Sequence, residues 1–137
     1  MFWCEAKSPR RRGCSLLAAC LLAVPHLALR AETSFTQQVL PLLNSHCVMC
    51  HMPGAAQADL SLYPDAWAAL VNQPATQSAL PRVKPGDPEG SYLYRKLTGT
   101  HLEAGGSGEH MPFQRDRLEP ADLAVFRDWI AQGARNN

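Results

Sequence analysis

Two cysteines three positions apart with a histidine directly after them, Cys47-Val48-Met49-Cys50-His51, constrain this chain more than any other stretch. Residues i and i+3 share one face of a helical turn, so both sulfurs can reach the same edge of a planar group. The spacing is that of covalent haem attachment, with two thioether bonds to the porphyrin vinyl groups. His51 then faces the ring centre, where its imidazole can bind the iron from the proximal side. The rest of the chain must cover the ring, supply a sixth ligand and leave or close an edge to solvent.

Other uses of the pentad fit less well. A zinc site needs two further ligands at similar spacing, and no second cysteine pair follows. A redox-active C-x-x-C belongs after a buried strand in a βαβ pattern, which is absent here.

The N-terminal stretch reads as an export leader. Lys7, Arg10, Arg11 and Arg12 precede an Ala/Leu-rich run from Ser15 to Leu29, and the small residue Ala31 follows. Pro25 and His26 interrupt that run, which is short for a bilayer span. Residues 1–31 are therefore expected to be a cleaved signal peptide and 32–137 one mature domain in the periplasm. Leu17-Ala18-Ala19-Cys20 resembles a lipoprotein cleavage box, which would give a membrane-tethered form, but the apolar stretch ahead of it is very short. Removing the leader takes away Cys4, Cys14 and Cys20, so Cys47 and Cys50 are the thiols left. Both have a use in attachment.

Residues 32–137 carry eight Lys/Arg against eleven Asp/Glu, a net charge of −3. No basic footprint for nucleic acid exists. About a hundred residues bury a modest core, and a central haem would add apolar contact.

In chain order, Phe35, Val39, Leu42 and Leu43 recur at helical spacing behind Thr33 or Ser34 as cap. Pro41 inside the pattern predicts a kink or two pieces. The pentad resembles that of c-type cytochromes, where a proline shortly after it often holds the histidine through its carbonyl, and the resemblance makes Pro53 the candidate. A short helix follows Pro64, with Trp67 either in the core or at the cofactor. Asp87-Pro88 predicts a helix start and Gly99 its end, with Leu93 and Leu97 buried. Arg82 and Lys84 read as solvated charges or as partners of the propionates. Thr100 to His110 is glycine-rich and expected to be mobile. Asp116 to Gln132 predicts an amphipathic helix buried through Leu123, Val125, Phe126, Trp129 and Ile130.

The sixth ligand follows by elimination. Met1 leaves with the leader, Met49 and Met52 flank the proximal histidine, and Met111 lies far enough along to reach the other face. His110 and His101 are competitors, as is an open site. A thioether favours ferrous iron and blocks small ligands.

Together these features resemble a bacterial class I-type monohaem cytochrome c domain. The likeness rests on the pentad, on the run Val83 to Gly99 with its P-G-D-P and L-Y-R-K-L-T-G segments, on Met111-Pro112, and on the closing Trp129-Ile130-Ala131-Gln132-Gly133-Ala134. It spans nearly all of residues 35–134. Two departures are the histidines and extra glycines before Met111, and Leu118-Glu119 where a small polar cap is usual. The resemblance implies an all-α, cytochrome c-like small helical domain wrapped around one haem c. It also implies crossed terminal helices, with Phe35 and Val39 against Phe126 and Ile130. The expected function is electron transfer to or from an exported or membrane-bound redox protein, with no small-molecule substrate and no enzymatic activity. The alternative is a ligand-responsive or peroxidase-like module in which Met111 dissociates.

Overall fold

Pro41 has no N–H to donate, and its ring crowds the carbonyl four residues back. The chain meets that constraint by widening the turn ahead of the proline, as the computed structural model shows; it describes Met1 and residues 31–137. Of the expected leader, residues 1–31, positions 2–30 lie outside the described residues. Phe35–Val39 forms a π-helical turn that continues into α1, Leu40–His46. The N–H of Val39 reaches back five residues to the Ser34 carbonyl at 3.3 Å, and that of Leu40 to Phe35. Pro41 then stands in the first turn of α1, where a missing donor is tolerated. The helix is thus continuous through its proline, with an opened first turn in place of a break. Ser34 caps it by accepting the Gln37 N–H at 3.2 Å.

A 3₁₀ turn (Gln57–Asp59), α2 (Ala66–Leu70), α3 (Tyr92–Thr98) and α4 (Pro120–Ala131) complete the helical elements. Among the described residues, β pairing is limited to two isolated bridges, Val71 with Val83 and Pro74 with Pro81. The domain is helical, as the apolar periodicity predicts. Asp65 caps α2 by accepting the Ala68 N–H at 3.0 Å. Gly99 closes α3 with φ 76°, a left-handed geometry that suits glycine.

Asp87, expected to start α3, caps the preceding turn instead. Its carboxylate accepts the Gly90 N–H at 2.8 Å, and α3 begins later, after Ser91. The Ser91 hydroxyl donates to the Asp87 carbonyl at 2.7 Å and accepts the Lys84 N–H at 2.8 Å, so this buried serine holds the turn. Likewise α4 begins at Pro120 rather than Asp116, with Glu119 making no side-chain cap.

One face of the first helix, Phe35, Val39 and Leu43, is fully withdrawn from water and shares a core with Phe126, Trp129 and Ile130 of α4. The rings of Phe35 and Trp129 stand 5.3 Å apart at 35°, a tilted aromatic pair. The C-terminal segment stitches this contact together. The carbonyl of Asn137 accepts the Thr36 N–H at 2.9 Å, and its side-chain oxygen accepts that of Phe35 at 2.9 Å. Trp67 is half-buried and gives its indole N–H to the Ala134 carbonyl at 2.8 Å, which settles it as a packing residue. The C-terminal end of α1, from Leu43 to His46, lines a cleft.

Candidate functional site

The helical path does not stop at His46. The N–H of Cys47 bonds the Leu43 carbonyl at 2.9 Å, those of Cys50 and His51 bond the Cys47 carbonyl at 3.1 Å, and His51 also reaches Val48 at 3.1 Å. The pentad is therefore a further helix-like turn hung from α1. Cys47 is half-buried and Cys50 exposed; both thiols are free. Burial, reinforced by the neighbouring Cys50, pushes the Cys47 thiol up to about 11, so it stays protonated near neutral pH.

His51 is clamped from both sides. Its own carbonyl accepts the Leu62 N–H at 2.7 Å, and its Nδ1 lies 3.2 Å from the Leu60 carbonyl. A carbonyl only accepts, so Nδ1 carries the proton and Nε2 keeps its lone pair for a ligand bond. Burial lowers the proton affinity of the ring below the ordinary imidazole value. Backbone bonds at Leu60 and Gln57 oppose that shift, while the charge of Arg82 adds to it. The carbonyl that orients His51 is thus Leu60, not Pro53. Nothing in the local sequence pointed to it, because it depends on the chain folding back after the 3₁₀ turn.

Cys47, Cys50 and His51 line a cleft of about 790 Å³, and so does Met111, which arrives from the segment after α3. That volume lies within the roughly 300–1,000 Å³ of cofactor and ligand sites. Leu43, Leu62, Leu70 and Leu97 form its apolar wall. Arg82, Lys96 and Arg115 are its Lys/Arg members, and among the described residues no Asp or Glu lines it. His101 and His110 do not line it. His101 is buried elsewhere, with Nε2 2.7 Å from the Gly108 carbonyl.

The glycine-rich stretch expected to be mobile is instead a strap tied to α3. The Tyr92 hydroxyl donates to the Ser107 carbonyl at 2.8 Å, and the Gly106 N–H bonds the His101 carbonyl at 2.8 Å. Lys96, just 6% exposed, donates to the carbonyls of Ser107 at 2.6 Å and Glu109 at 2.8 Å. The N–H of Met111 returns to the Lys96 carbonyl at 3.0 Å. Sequence reading missed Lys96 entirely, since a lysine in a helix is ordinarily solvated.

No family model, curated protein or solved structure matches the chain. The chemistry of the cleft therefore has to be read from its own residues. Among the described residues, no three His, Cys, Asp or Glu side chains converge as an ion site. Two thiols on one turn, an imidazole held through Nδ1 and a thioether could hold a porphyrin iron. Arg82, half-buried, spends its guanidinium on the carbonyls of Ala69 and Asp59, both at 2.9 Å, and so is fixed at the wall. Lys84, by contrast, pairs with Asp87 at 2.9 Å on the surface.

Proposed function

We propose that this chain is an exported electron carrier of cytochrome c-like fold. One haem c is bound through Cys47 and Cys50, with His51 and Met111 as the axial ligands. The observation that carries the reading is the shared cleft: both thiols, His51 and Met111 line one largely apolar space. The haem supplies a one-electron couple at its iron. The chain's residues do the rest. Cys47 and Cys50 tether the group, and the bond from His51 to Leu60 sets the ring's tautomer and orientation. The Met111 thioether favours the ferrous state and occupies the position a small ligand would take. Leucines 43, 62, 70 and 97 exclude water from the ring. Arg82, Lys96 and Arg115, with no carboxylate among the lining residues, suit a ligand that carries two propionates.

On this reading the chain acts as a carrier rather than an enzyme. It works in the periplasm, and its partner is an exported or membrane-bound redox protein. The ligand-responsive alternative needs Met111 to leave easily, and the hydrogen bonds that hold its strap count against that. Acid–acetone extraction and intact mass test the proposal. Colour should stay with the protein, together with the added mass of one haem. Colour passing into the organic phase would end this reading.

A further inference from the structure

We propose that Lys96 is the positioning residue for Met111: its buried ammonium sets the strap so that the thioether meets the cofactor in the cleft. The inference rests on the electron-carrier reading above. A buried ammonium is costly unless its protons are used. Here two of them go to the carbonyls of Ser107 and Glu109, at 2.6 and 2.8 Å. The Lys96 carbonyl takes the N–H of Met111 at 3.0 Å. One residue of α3 thereby grips positions 107, 109 and 111. Within the strap, Gly105, Gly106 and Gly108 bring no side chains, and the His101 ring bonds Gly108. Tyr92 of α3 holds Ser107, and His101 within the strap holds Gly108, both bonds falling short of Glu109 and Met111. The ammonium also lies 5.3 Å from the centroid of the Tyr92 ring, a face that favours a cation. Lys96 lines the same cleft as Met111, so the positioning group and the group positioned share one wall.

Lys96→Met keeps the stem and removes the donors. In the haem-loaded protein it should weaken the red absorption band that reports sulfur–iron ligation. It should also speed carbon monoxide capture by the ferrous form about tenfold or more, since a hydrogen bond to a charged group is worth at least that factor. Tyr92→Phe should change capture less than Lys96→Met does. Hydrogen exchange at Met111 should rise in Lys96→Met while α4 stays protected. An unchanged band and capture rate, with exchange at Met111 raised, would make Lys96 merely structural and overturn the proposal. Should Lys96→Met fail to fold, the unmutated protein decides. Its Lys96 ammonium protons should exchange slowly enough to be seen by NMR, and a freely exchanging ammonium refutes the proposal. A wild type lacking the mass of one haem refutes instead the carrier reading, and Lys96's role with it. That result is read before any variant is made.

Discussion

Gly106→Ala probes whether the segment before Met111 is packed or free. A Cβ at Gly106 would stand 2.5 Å from a Tyr92 ring carbon and 2.8 Å from the His101 carbonyl oxygen. Comfortable separations are about 3.5–4.0 Å, so roughly an ångström must be found. Tyr92 cannot readily yield, being 6% exposed and bonded through its hydroxyl to Ser107 at 2.8 Å. His101 cannot either, because it is 3% exposed and tied to Gly108. The strap itself must lift. Overpacking of this kind costs about 1–3 kcal/mol. Placed wholly on the strap equilibrium, that is about a 5- to 150-fold rise in the open population. Stopped-flow carbon monoxide binding to the ferrous protein reads that population, and thermal unfolding reads the global loss. If Gly106→Ala matches wild type in both, the strap is as mobile as its composition implies and the packing argument fails.

Met111→Ala should abolish the red band, lower the reduction potential and admit carbon monoxide, whereas His110→Ala should leave all three unchanged. The reverse pattern would move the axial ligand to His110. Cys47→Ala with Cys50→Ala should leave a chain without cooperative unfolding, because without a haem the apolar walls of a cleft of about 790 Å³ face water and about a hundred residues bury only a modest core. A sharp transition at the wild-type temperature contradicts this. Phe126→Ala, at a side chain 1% exposed, should cost about 3–5 kcal/mol in urea unfolding, and a loss below about 1 kcal/mol would mean that the contact between the first helix and α4 is not the core. N-terminal sequencing of exported protein should find a start at or near Glu32; a lipid-modified Cys20 would show a membrane-tethered form.

Several features of the fold were readable from neighbours in sequence alone. The turn that puts Cys47, Cys50 and His51 together spans five residues, and its hydrogen bonds join positions three and four apart. Gly99 ends α3 because a left-handed residue is needed where the helix stops. The stripe of Phe126, Trp129 and Ile130 is buried as its spacing requires. Each depends on local geometry, which the order of residues specifies directly.

Other features appeared only once distant segments met. Local spacing gives no sign that Leu60 rather than Pro53 accepts from His51, because the acceptor is chosen by where the chain folds back. Composition marked residues 100–110 as loose, yet their carbonyls find donors in Tyr92, Lys96 and His101. Arg82 and Lys84 are near neighbours with equal charge; one is fixed at the cleft wall by two backbone carbonyls and the other pairs in solvent. The cause is the same throughout. A hydrogen bond reaches about 3 Å, so its partner is known only when the tertiary fold has brought one within that distance.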